Sequence, residues 1–327
     1  MQNSKKGAIG VIAGCTLLLA LFPLSGCAQT GGSEPIIDAH SHAAWPNGDD
    51  AAELAAHLAE MNAHGIVLAL LFINVADDIT TWKNAAPGRF RAGPSFPCVV
   101  RNNAGDASCE WNGAQWPEIS WLRERFQSGD YQIMGEMLFV YAGIAPDDPR
   151  MEPYWALAEE FSVPVGVHIN RGPPPGAPPR VEGCCPDFDS ELGDPRLLEP
   201  VLDRHPDLRL WLQHAGLPGI PPTGDIDYTE ETIAMLQRHP NVYVDFSVLN
   251  SIFDEEFHEA ALRRFINAGV ADRIMFGSDN MPIGPIIARL NSFGFLTDEQ
   301  RRGILYDNAA RFLQLEETTI ARHKSGR

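Results

Sequence analysis

The chain is short of positive charge. It has 25 Lys and Arg against 43 Asp and Glu, a formal net charge of -18, and only four lysines: Lys5, Lys6, Lys83 and Lys324. A body this acidic repels nucleic-acid phosphates and anionic lipid surfaces, so neither is expected as a partner, and the charge serves solubility. Long apolar runs are scarce as well. One spans residues 8–24, behind Lys5 and Lys6, and ends at Leu24-Ser25-Gly26-Cys27. It is too short and wrongly flanked for a membrane span but has the order of a secretory signal. No C-x-x-C pair occurs among the six cysteines, which argues against a thiolate zinc site. No glycine-rich phosphate turn follows the first strand-like run, which disfavours the runner-up fold, a doubly wound open sheet.

The Leu-Ser-Gly-Cys ending resembles the lipobox of bacterial lipoproteins. That resemblance implies that Cys27 becomes the lipidated first residue, and Ala28 in place of Asp implies the outer membrane. The expected organisation is a signal peptide over 1–26, a lipidated tether over 27–34, a catalytic domain over 35–315 and a C-terminal tail over 316–327. Acyl chains alone would hold the exported protein to the membrane, facing the periplasm. In that compartment Cys98, Cys109, Cys184 and Cys185 are expected to form at least one disulfide, with three connectivities open.

Hydrophobic patterning gives the fold class. "IVLALLFI" at 66–73 is an unbroken apolar run, as in a strand buried on both faces of a parallel sheet. Further strands are expected near 36–42, 90–96, 131–140, 163–169, 208–216, 241–248 and 273–279. Helices are expected between them, such as Asp50–His64 stopped by Gly65. "RHPDLRLWL" and "RHPNVYVDF" repeat one helix-to-strand unit. Eight strands, each followed by a helix, predict an α/β fold of the (β/α)8 TIM barrel type, a single domain with long loops at 97–117 and 171–193.

Chemistry in such a barrel collects at the carboxyl ends of the strands. "IIDAHSHAAW" places Asp38, His40 and His42 at alternate positions, which on a regular strand point the same way. Of the ten histidines, His57, His64 and His258 fall on expected helices and His323 in the tail. His205 and His239 precede prolines at helix ends, where bonds to helix carbonyls would account for them. His40, His42, His168 and His214 remain, all on apolar strands, together with Glu136 on strand four and Asp279 ending strand eight. A lone strand histidine is usually a core residue. Four converging with two carboxylates would be costly to bury without a cation, so a metal centre is expected.

D-x-H-x-H on strand one, single histidines on strands five and six and an aspartate ending strand eight resemble the metal-dependent amidohydrolase superfamily. "APDDPRMEPYWALAEE", "GSD" and "YDNAARFL" are similar to its amidohydrolase-2 branch in particular. The resemblance spans roughly residues 35–315. It implies a metal-dependent hydrolase acting on an amide, lactone or ester of a small molecule, with a non-oxidative decarboxylase as the alternative. A non-catalytic binding lipoprotein is a third reading, disfavoured because no expected ligand is missing. By the same resemblance His40, His42 and Asp279 bind one divalent ion. His168 and His214 hold a second, or His214 serves a mononuclear site as base or electrophile. Asp38 orients the ligands without binding metal. Glu136 stands where many relatives carry a bridging lysine; its plainer reading is an ion pair with an arginine. Asp279 is the expected acid–base group. The donors suit Zn first, then Mn, Fe or Co. Arg171 and Arg101 are candidates to receive a substrate carboxylate. Trp82, Trp111 and Trp116 are candidates for an apolar wall, with ordinary packing the alternative.

Overall fold

Apolar segments of the chain form eight parallel strands: β1 (Ile36–His42), β2 (Ile66–Ile73), β3 (Phe90–Pro94), β4 (Met134–Met137), β5 (Val165–His168), β6 (Leu210–Gln213), β7 (Val242–Asp245) and β8 (Ile274–Met275). The computed structural model describes residues 34–43, 50–73, 79–97, 99–100, 107–108, 116–169, 185–218 and 227–326. Cys27, Arg101, Arg171, Trp111, Cys98, Cys109 and Cys184 lie outside them. Among the described residues, no helix is long and apolar enough to cross a membrane.

The strands follow chain order in two ladders, β1–β2–β3 and β4–β5–β6–β7–β8. Isolated contacts stitch the two seams. Phe96 bridges to Met137 beside β3 and β4. At the other seam Ala39 N–H donates to Phe276 O at 2.8 Å, and Asp279 N–H to His40 O at 2.6 Å. With helices following strands around the outside, the architecture is the (β/α)8 barrel that the alternation predicts.

Barrel geometry explains why several strands end sooner than their apolar runs. The 131–140 run is a strand only over Met134–Met137. Phe139–Ala142 then makes one helical turn closed by Gly143 at φ 62°. Its side chains stay buried by packing on helix Glu152–Glu160 and on the segment around Cys185, so hydrophobicity alone did not mark the turn. Helix limits follow capping chemistry. Asp50–His64 stops at Gly65, φ 73°, and Glu255–Asn267 starts on Asp254, whose carboxylate accepts from Phe257 N–H at 2.8 Å. The 316–327 segment is helical over Glu317–Ser325.

Two cores result. One fills the space between strands and helices around Trp155, Phe265 and Phe293. The other fills the barrel interior with Ile37, Leu70, Phe72, Trp211 and Tyr243. The helix-end histidines depart from expectation. His205 contacts the carboxylates of Glu159 and Glu152, each at 2.9 Å, and His239 that of Glu199 at 2.8 Å. Glutamates on neighbouring helices, distant in sequence, take the place assigned to carbonyls. Cys185 is disulfide-bonded.

Candidate metal centre

Local irregularity aims the polar side chains. The register of β1 against β2 slips between Asp38 and Ser41. A slip of this kind breaks the two-residue alternation. Asp38 therefore does not share a target with the two histidines, as a regular strand would require. Its carboxylate turns to the far seam and accepts from Ser278 N–H (2.9 Å), Ser278 Oγ–H (2.6 Å) and His40 N–H (3.1 Å). Asp38 thus pins the β1–β8 junction, and burial pushes its pKa up to about 6 against those hydrogen bonds. After β6, His214 and Ala215 take left-handed φ of 65° and 56°, turning the His214 ring into the barrel mouth. Asp279 sits at φ 52° just after β8.

Two glycines are needed for this approach. A Cβ on Gly135, φ 110°, would lie 2.4 Å from Gly166 O, and one on Gly277 would lie 3.0 Å from the His40 Cβ. Neither lysine of the described residues comes near. Lys83 donates to the carbonyls of Gly129 and Asp130, and Lys324 pairs with Asp307.

Glu136 is the hub of the cluster, and among the described residues it pairs with no arginine. Its Oε1 lies 2.8 Å from His168 Nδ1 and 3.3 Å from His214 Nε2, while its Oε2 lies 3.5 Å from His42 Nε2 and 3.9 Å from His40 Nε2. Asp279 Oδ1 closes the second group, 3.0 Å from His42 Nε2 and 3.6 Å from His40 Nε2. Among the described residues, three overlapping sets have donor atoms close enough to share an ion: His40–His42–Glu136, Glu136–His168–His214 and His40–His214–Asp279. Every member but Asp279 is buried; the Asp279 side chain is 17% exposed.

The electrostatics call for a cation. Burial opposes charge on His40, yet Asp279, Asp245 and Glu136 outweigh it and push its pKa up to about 10. Burial likewise opposes ionisation of Asp279 and Glu136, but the surrounding imidazoles hold Asp279 at about 2 and Glu136 well below the usual carboxylate range. A cluster that recruits protons onto its imidazoles in this way has surplus negative charge for a divalent ion to replace. His40 Nε2 is buried and makes no hydrogen bond among the described residues, as a nitrogen reserved for a metal would be.

Asp245, at the end of β7, is the residue that sequence reasoning missed. Its Oδ1 accepts from Ser247 Oγ–H at 2.6 Å, Ser247 N–H at 3.0 Å and His214 N–H at 3.2 Å, and its Oδ2 lies 3.3 Å from His40 Nδ1. Ser247 Oγ in turn lies 2.8 Å from His40 Nδ1, and Ser247 O lies 3.1 Å from His214 Nδ1. These acceptors keep the proton of both rings on Nδ1 and leave Nε2 to face the cluster. The available signal was "NVYVDFSV", an aspartate at a strand's carboxyl end.

Beside the cluster, Trp82 lines a cavity of about 290 Å³ with His42, His57 and Glu60, packed edge-on against Phe90. Trp116 packs on Tyr154 instead.

A family model for amidohydrolases matches residues 113–315. A search of curated proteins returned no match. Among solved structures the chain resembles a TIM-barrel protein from Bordetella bronchiseptica, at 19% identity over 90% of this chain and 100% of that one, TM-score 0.56. It resembles a probable 2-pyrone-4,6-dicarboxylic acid hydrolase from Acinetobacter baumannii with citric acid bound, at 13% identity over 86% and 99%, TM-score 0.57. It also resembles a dihydroxybenzoic acid decarboxylase from Polaromonas with bound manganese, at 17% identity over 86% and 97%, TM-score 0.55.

Proposed function

The chain belongs to the amidohydrolase family of metal-dependent enzymes, and on that premise we propose that it hydrolyses an amide, lactone or ester bond of a small molecule. The observation that carries this reading is the division of Glu136, one oxygen toward His168 and His214 and the other toward His40 and His42. A carboxylate so divided suits two divalent ions, with His40, His42 and Asp279 on one and His168 and His214 on the other. Nitrogen and oxygen donors suit zinc, manganese, iron or cobalt, with no soft ligand to select among them, and zinc is the ion we propose first. Such ions supply Lewis acidity, polarising a carbonyl and acidifying water.

The chain's own groups do the rest. Asp279, held at about 2, is an anion at neutral pH and the only partly exposed member of the cluster. It accepts the proton of the attacking water and returns it to the leaving amine or alcohol. Asp245 and Ser247 fix the imidazoles that face the substrate, and His214 stabilises the developing oxyanion if only one ion is bound.

Decarboxylation is the second reading, favoured by the likeness to the manganese-bound decarboxylase. The deciding experiment incubates metal-loaded protein with carboxylic esters, lactones, amides and aromatic carboxylic acids in heavy-oxygen water. Hydrolysis puts solvent oxygen into the product acid. Release of carbon dioxide, with no solvent oxygen in the organic product, would replace it by decarboxylation.

The same proposal places the enzyme outside the cytoplasm on a lipid anchor at Cys27, supported by the signal-like segment and Leu24-Ser25-Gly26-Cys27. Cys27→Ala is expected to leave the chain unlipidated, either unprocessed or released in soluble form. Fractionation that finds the variant processed and membrane-bound like the wild type would refute the anchor.

A further inference from the structure

The N-terminal end of the barrel, opposite the metal centre, opens into a cavity of about 460 Å³ whose wall carries Arg91, Arg209, Arg322 and His323. Among the described residues no Asp or Glu lines it, in a chain of net charge -18. The cations crowd one another. Burial, then Arg91, pushes Arg209 down to about 10, and burial, then Arg322 and Arg91, lowers His323. A neighbouring cavity that Arg209 also borders does carry Glu159, Asp203 and Asp207, yet among the described residues no ion pair reaches Arg91, Arg209 or Arg322.

Two of the guanidinium groups are held in place. Arg91 donates to Leu313 O at 3.1 Å, and Arg209 donates to Phe312 O and Ser162 O. The bonds to Leu313 O and Phe312 O cap the end of helix Asn308–Phe312, and with the bond to Ser162 O they use only one or two of the five N–H donors on each group. The remaining donors on these planar cations suit the oxygens of a tetrahedral oxyanion.

We propose that this cavity binds a small doubly charged oxyanion, inorganic phosphate or a phosphate monoester, between Arg91 and Arg209 with Arg322 at its mouth. A dianion offsets the mutual repulsion of the cations better than a phosphodiester, which carries one charge. A free phosphate compound therefore fits the site and the diester linkage of a lipid headgroup does not.

The test is calorimetric titration of the full chain with inorganic phosphate at constant ionic strength, repeated with the soluble diester glycerophosphoglycerol. Phosphate can also ligate a metal, so the titration is repeated on His40→Ala. One phosphate per chain should bind in both proteins, and the diester at least about tenfold more weakly. Arg209→Gln and Arg322→Gln should each weaken phosphate binding about tenfold or more, the scale of a lost charge-assisted hydrogen bond, while turnover at the opposite rim stays unchanged. Arg322 is exposed on helix Glu317–Ser325, so its variant folds even if Arg209→Gln does not. Absence of saturable binding, binding lost in His40→Ala but kept in both arginine variants, or tighter binding of the diester would each overturn the site.

Discussion

Asp279→Asn is expected to keep its metal and lose turnover by a factor of at least about 10²–10⁴, the usual range for deleting a positioned acid–base group. The amide oxygen can occupy the place of Asp279 Oδ1, which faces His42 Nε2 at 3.0 Å and His40 Nε2 at 3.6 Å. An amide cannot accept and return a proton at neutral pH. The backbone around residue 279 is tied down independently, by its N–H to His40 O and by Ser278 bonded to Asp38, so the fold should survive. Metal analysis beside kcat and KM checks the split. An active Asp279→Asn enzyme would remove Asp279 as the acid–base group, and loss of metal would recast it as a ligand alone.

Glu136→Gln should fail in the opposite way, by losing metal first. The wild-type carboxylate spreads one negative charge over two oxygens that face different imidazole pairs. Glutamine keeps one acceptor and puts an N–H₂ donor against the other pair, so one ion loses an anionic ligand outright. Even residues that only orient ligands cost roughly 10–100-fold in affinity when altered, and a bridging ligand should cost at least as much. Equilibrium dialysis against a chelator should find affinity lowered at one site or both, with the circular dichroism spectrum unchanged. Unaltered affinity would reduce Glu136 to a buried hydrogen-bond acceptor.

What the sequence discloses about this site follows from how local each feature is. His40, His42, His168, His214, Glu136 and Asp279 stand out because each is a polar residue ending an apolar run, and a barrel gathers such ends at one rim. Strand β2 was legible to the residue, since an unbroken eight-residue apolar run has few other uses. The direction of Asp38 was not legible, because a register slip in β1 depends on how β2 pairs with it. Asp245 escaped for a related reason. It reaches His40 across 205 residues of chain, and an aspartate after a strand is too common to single out. The partners of His205 and His239 lie on other helices, so a reading confined to their own helix ends supplied the wrong acceptors. The cationic cavity at the far end was invisible, because Arg91, Arg209 and Arg322 are scattered along the sequence.

Glu136 divides one carboxylate between two groups of imidazoles, and two ion sites should follow from that division. The most direct measurement is the metal content per chain of wild-type protein purified without chelator and saturated with zinc or manganese, read beside Glu136→Gln under the same conditions. About two ions per chain are expected in the wild type and about one or fewer in the variant, because a shared anionic ligand is removed. One ion per chain in the wild type, unchanged in Glu136→Gln, would contradict this and leave a mononuclear site.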